Sequence, residues 1–143
     1  VSGLAKGIDA MAHRITLQSG GDCIAVIGGG LYHIYPQENT PLSHMILRKG
    51  LILSEYPPIF KPKPWHFPMR NRIISGLSRS ILVVESKQKS GTFITVERGL
   101  EQGKDIFAIP GNIFSASSSG TNAWIKEGAK LVTDAYDIIS EWE

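Results

Sequence analysis

Four short runs of Ile, Val and Leu, at residues 24–27, 51–53, 81–84 and 106–109, set the tightest limit on what this chain can fold into. None alternates polar with apolar residues, so each reads as a strand covered on both faces. Segments with helical period separate them. Ile8, Ala12 and Ile15 fall at i, i+4, i+7; Phe93, Val96 and Leu100 fall at i, i+3, i+7; Ala135, Ile138, Ile139 and Trp142 repeat the spacing near the end. Gly20, Gly50, Gly103 and Gly128 stand where those helices should stop. Parallel strands need crossovers, so the alternation predicts a doubly wound α/β fold, a mostly parallel sheet with helices on both faces. At 143 residues the chain fits one domain, 1–143. One stretch breaks the rhythm: YPPIFKPKPWHFP, with prolines at 57, 58, 62, 64 and 68, reads as a stiff surface loop before a helix starting near Pro68 or Met69.

Composition narrows the class. With 42% hydrophobic and 20% charged residues, disorder and fibrous structure are excluded as the main reading. No apolar run reaches membrane-spanning length, and VSGLAKGID lacks the layout of a signal peptide, so no membrane association is expected and the expected compartment is the cytoplasm. Cys23, the lone cysteine, forms no intrachain disulfide and reads as a core filler. The chain starts without Met on a turn-like SGLAKG, as the tail of a strand whose body lies upstream, and we expect a fragment of a longer protein. A net charge of +2 means that any anion site must depend on local placement of charge.

Such placement is visible in the loops that follow strands, where ligands bind in open α/β sheets and helix N-termini offer backbone N–H groups to anions. Four of these loops consist of small residues: SGLAKG, the GGG at 28–30, SKQKSGT at 86–92 and SASSSGT at 115–121. The first brings Ser2, Gly3, Lys6 and Gly7; the third brings Lys87 and Lys89 before Ser90, Gly91 and Thr92; the fourth ends on Gly120 and Thr121. Lys89 would supply a point charge beside the amides of Ser90, Gly91 and Thr92. GxxxxGK[ST] and GxGxxG are both absent, so nucleotide hydrolysis and dinucleotide chemistry are unsupported and no cofactor is expected.

A second basic element, PMRNRIISGLSR, places Arg70 and Arg72 around Asn71 near a helix start, with Arg79 one helix length later. Arginines there oppose the helix dipole, and two roles fit them: pairing with an acid or gripping a phosphate. Trp65, His66 and Phe67 upstream either stack on bases or pin the loop to the core; Phe93 is likewise either a stacking platform or core. The histidines at 13, 33, 44 and 66 form no HxxxH spacing, so no metal is expected.

SGLAKGIDAMAH, IAVIGGGLYHIYPQEN, GLILSEYPP, WHFPMRNRIISGLSRSILVVE, KSGTFIT, AIPGN and GTNAWIKEGAKLV together resemble, in order, the successive signatures of the DprA/Smf family of DNA-processing proteins of bacterial natural transformation. The resemblance covers nearly the whole chain. It implies an extended Rossmann core that binds single-stranded DNA, forms homodimers and helps to load the RecA recombinase. It places the family's anion-binding lysine on Lys89, with Ser90, Gly91 and Thr92 around it, and its SGxARGID turn on Ser2, Gly3, Lys6, Gly7 and Asp9, with Lys6 standing for the commoner arginine. The family's GSR-type loop, with a phosphate-binding arginine, is expected upstream of Val1.

The rival is a phosphoribohydrolase of the lysine-decarboxylase-like type, whose PGGxGT turn is followed by two glutamates. KSGTFITVERG is similar in shape, but Ile94 and Thr95 stand at those positions, and the next acid is Glu97. Asp9 and Glu55, the acids nearest the expected ligand edge, fit capping and arginine pairing better than catalysis. The favoured reading is electrostatic and geometric: Lys6, Lys89, Arg70 and Arg72 hold phosphates while bases stack nearby.

Overall fold

The four apolar runs become parallel strands in the computed structural model, which describes residues 1–143. The chain divides into two compact units, Val1–Leu77 and Ser78–Glu143, each with its own sheet and its own apolar cluster.

The first unit runs α1 (Ile8–Gln18), β1 (Ile24–Val26), α2 (Thr40–Lys49), β2 (Leu51–Leu53) and α3 (His66–Leu77). β1 pairs in parallel with β2, Ala25 opposite Ile52, and also bridges Ser2 through Ser2 N–H to Ile24 O (3.0 Å) and Val26 N–H to Ser2 O (2.9 Å). Leu4, Ala25, Ile27, Leu42, Ile46 and Ile52 form the core around this sheet. α3 begins at His66, two residues before the expected start; Pro68 lies in its first turn, where a missing N–H is tolerated.

Helix α1 forms as expected but turns a different face inward. Ala10 and His13 are buried and Leu17 packs on the core, whereas Ile8, Met11 and Ile15 are 40%, 50% and 51% exposed. Two apolar stripes compete on this helix, and the smaller Ala10 lets it lie closer to its neighbours.

His13 is buried, and its Nε2 has no hydrogen-bond partner. Burial lowers its pKa, with nearby Asp9 opposing the shift. The unfolded chain therefore binds the proton first as pH falls, so stability is full above the unfolded value of about 6.5 and declines below it. Urea titrations at pH 7.5 and about pH 5 should show this loss, and His13→Gln should reduce it. An equal loss in the variant would assign the acid sensitivity to other groups.

The second unit runs β3 (Ser80–Val83), α4 (Gly91–Glu101), β4 (Asp105–Ala108), α5 (Ser119–Lys126), β5 (Lys130–Leu131) and the single turn α6 (Tyr136–Ile139). Its sheet has the order β3-β4-β5, all parallel. Ile81, Val83, Val96, Ile106 and Ala108 form the core, with Trp124 and Ile125 packed against it. α4 lies close on β3 because position 99 is glycine: a Cβ there would stand 2.2 Å from the Ile81 methyl. β5 was not foreseen, because this edge strand has two residues, both exposed, and no apolar run. Two parallel sheets flanked by helices thus realise the expected α/β class. No helix is long and apolar enough to cross a membrane.

Candidate nucleic-acid interface

In the second unit, the loops after β3 and β4 are tied together at the strands' carboxyl ends. Ser86 N–H donates to Ser117 O (2.8 Å), Gly120 N–H donates to Ser86 O (2.7 Å), and the Ser86 and Ser90 hydroxyls are 2.8 Å apart. Gly120 has to be glycine, since a Cβ would stand 2.6 Å from Ser86 O. The loop then enters α4 through Ser90 in an extended conformation, and no acid occupies the first turn of that helix. The amide ends of its first turn give this corner a positive partial charge.

Lys89, just before the helix, has φ 89°, a conformation that costs a side-chain-bearing residue on the order of 1 kcal/mol. Such strain is concentrated at binding sites. Lys87 and Lys89 are exposed, and neither has a carboxylate partner. They line a cavity of about 470 Å³ with Gln88, Phe93, Trp124 and Glu127. Phe93 and Trp124 meet at 5.1 Å between ring centroids, tilted by 35°, and Phe93 is 39% exposed. Aromatic rings and unpaired cations lining one cavity suit an aromatic, anionic ligand such as a nucleotide base with its phosphate.

Of the expected residues, Lys87, Lys89, Phe93 and Gly120 meet at this cavity, with Ser90, Gly91 and Thr92 at its helix entry. Thr121 is buried, its hydroxyl donating to Ser118 O at 3.1 Å, so it closes the α5 turn. Sequence reasoning missed Trp124 and Glu127. The signal was present in GTNAWIKEG, where both lie one to two turns beyond Gly120 on the same short helix and its exit.

The first unit uses its basic residues differently. Arg70 is buried, and its Nη1 donates to Gly3 O (2.8 Å) and Val26 O (2.6 Å), while Nε donates to the Asn71 side chain (3.1 Å). Burial lowers the guanidinium's pKa, and Asp9 counters the shift. Gly3 makes room for this contact, as a Cβ would stand 2.7 Å from the guanidinium carbon. The expectation of a phosphate contact at Arg70 is therefore corrected: backbone carbonyls 67 and 44 positions away hold its donors. Asp9 accepts from Gly3 N–H (3.0 Å) and Ala5 N–H (3.3 Å), fixing the SGLAKG turn. Gly7, with φ 84°, ends that turn and opens α1.

The other two cations are exposed but paired. Lys6 meets Glu38 at 3.2 Å, and Arg72 meets Glu55. Trp65 is 59% exposed, with Lys63 Nζ 5.3 Å from its ring centroid. Arg79 stacks over Trp142 at 5.1 Å and donates to its carbonyl, a contact internal to the second unit.

Comparison with known proteins gives one consistent set. Residues 1–143 match the family model for DNA recombination-mediator protein A. The chain is 53% identical over 143 residues to the DNA processing protein DprA of Streptococcus pneumoniae, covering 51% of that protein. It is 50% identical over 141 residues to DprA of Bacillus subtilis, covering 99% of this chain and 48% of the relative. It thus spans about half the length of these relatives. The X-ray structure of the Streptococcus pneumoniae protein superposes with a TM-score of 0.92 at 51% identity, over 99% of this chain and 50% of that one. A DNA processing protein A from Helicobacter pylori, whose structure concerns its single-stranded DNA binding mode, superposes with a TM-score of 0.88 at 30% identity, over 99% of this chain and 64% of that one.

Proposed function

Because the chain belongs to the DNA recombination-mediator protein A family, we propose that it is a non-catalytic, single-stranded DNA-binding domain spanning residues 1–143. The observation that carries this reading is the cavity beside α4, which two unpaired lysines line together with the Phe93–Trp124 pair. Lys87 and Lys89 neutralise phosphates, the amides of Ser90, Gly91 and Thr92 add partial positive charge, and a base lies against Phe93. Ser2, Lys6, Gly7, Asn71 and Arg72 form the contact set of the first unit; Lys6 and Arg72 exchange their carboxylate partners for phosphate when DNA binds. In the cell the domain acts in the cytoplasm as a homodimer, protecting incoming strands during DNA uptake and helping to load RecA.

The hydrolase reading lacks support at the cavity. Glycosidic cleavage takes two carboxyl groups at the sugar, and Glu127 is the one acid at this wall. Ile94 and Thr95, where a hydrolase of that type carries its glutamates, are half-buried.

Polarisation titration with one labelled oligonucleotide, single-stranded and then annealed to its complement, tests the proposal. The single strand should bind at least about tenfold tighter, because stacked pairs do not offer their faces to Phe93. Equal affinity for the duplex would refute it, as would release of free base from nucleoside monophosphates above a heat-killed control.

A further inference from the structure

We propose that the proline-rich strap of the first unit, residues 56–65, is a second stacking platform for single-stranded nucleic acid; this rests on the reading of the chain as a single-strand binder. The strap is rigid. Gly30 N–H donates to Phe60 O (2.7 Å) and Tyr32 N–H donates to Pro58 O (3.0 Å), so the glycine turn after β1 and the strap form one backbone-locked layer. The two approach so closely that a Cβ on Gly30 would stand 2.1 Å from Pro57 O. His66 Nδ1 lies 3.0 Å from Gly28 O and 3.2 Å from Lys63 N, fastening the far end.

What this layer displays is aromatic and basic. Tyr32 is 75% exposed and Trp65 59% exposed, large areas for residues that usually bury most of their surface. Lys61 and Lys63 are exposed and without a carboxylate partner, and Lys63 stands over the Trp65 ring at 5.3 Å. Residues 56–74 and 24–37, which build the layer and the helix behind it, contain no Asp or Glu. The bordering acid, Glu55, is already paired with Arg72, so the layer offers lysines and ring faces, which match the phosphates and base faces of a nucleic-acid strand. The prolines hold the strap in place beforehand, so little conformational entropy is lost on binding.

Photo-crosslinking of the chain to a single-stranded oligonucleotide, with peptide mapping, tests the assignment alongside affinity titrations. Crosslinks are expected on Trp65 or Tyr32. Trp65→Ala should weaken binding about tenfold and Trp65→Phe should recover most of the loss. Lys61→Ser with Lys63→Ser should reduce the log–log salt slope by about 1.4, at about 0.7 per phosphate. Melting temperatures should hardly move, since these side chains are exposed. Wild-type affinity in Trp65→Ala together with crosslinks confined to Phe93 would overturn this proposal and leave the parent reading standing. No binding by the wild-type chain would overturn both. Unchanged affinity with altered sedimentation would make the strap a contact between copies of the chain, and would overturn it too.

Discussion

Arg70→Ala is expected to lower stability by about 3 kcal/mol and the melting temperature by roughly 10 °C. The wild-type guanidinium serves three acceptors from a buried position, two of them the main-chain carbonyls of Gly3 and Val26. Truncation strands both carbonyls away from solvent, at about 1–3 kcal/mol for each unsatisfied group. It also removes the cation facing Asp9, which then has only the Gly3 and Ala5 amides. Arg70→Lys should recover little, because one ammonium cannot reproduce the planar fork that reaches a loop and a strand at once. Thermal melts by circular dichroism decide between two roles for this residue. A shift under about 2 °C, accompanied by a large loss of DNA affinity, would return Arg70 to the phosphate contacts and remove it from the framework.

Phe93→Ala is expected to weaken single-strand binding about tenfold while leaving the salt slope unchanged, since stacking contributes about 1–3 kcal/mol per base and releases no counterions. Phe93 lies in the first turn of α4, half in contact with Trp124 and half open to the cavity. Phe93→Tyr keeps a flat ring and should bind close to wild type. Phe93 truncation removes little from the core, whose α4 contribution comes from Val96, fully buried three residues on. If the melting temperature of Phe93→Ala falls steeply and affinity changes only in step with unfolding, the ring is a packing element.

The two kinds of basic residue in this chain differ in a way that composition does not reveal. Lys6 and Arg72 each have an acid within ion-pair distance, and exposed pairs of this kind contribute about 0–1 kcal/mol to stability. Lys87 and Lys89 have none, and Lys89 is held in a costly backbone conformation beside a helix N-terminus. A phosphate entering the cavity meets cations with nothing to give up. One entering beside Lys6 or Arg72 displaces a carboxylate, so those contacts return less affinity per charge.

How far the sequence could be read follows from range. Strands with continuous apolar runs were legible because burial on both faces leaves a local pattern, and β1 and β4 end a residue short of the run where the last pairing continues by a single hydrogen bond, from Ile27 N–H to Leu53 O and from Ile109 N–H to Val83 O. The α4 entry was legible for the same reason: lysines, a serine and a glycine directly follow an apolar strand. The inward face of α1 was not, because Ile8, Met11 and Ile15 carry more apolar surface than the Ala10 and His13 that are buried, and packing against neighbours decides which stripe turns in. Arg70 was misread because its acceptors lie 67 and 44 positions away. Trp124 was missed because only folding brings α5 against α4, turning a core aromatic into the cavity wall.

The central claim is that the unpaired lysines of the loop after β3, Lys87 and Lys89, contact phosphates. Its most direct test is the salt dependence of single-strand affinity for the wild-type chain and for the Lys87→Ala, Lys89→Ala double variant. The account predicts a log–log slope about 1.4 shallower in the variant, two phosphates at about 0.7 each, with an unchanged melting temperature. Parallel slopes in the two proteins would contradict it.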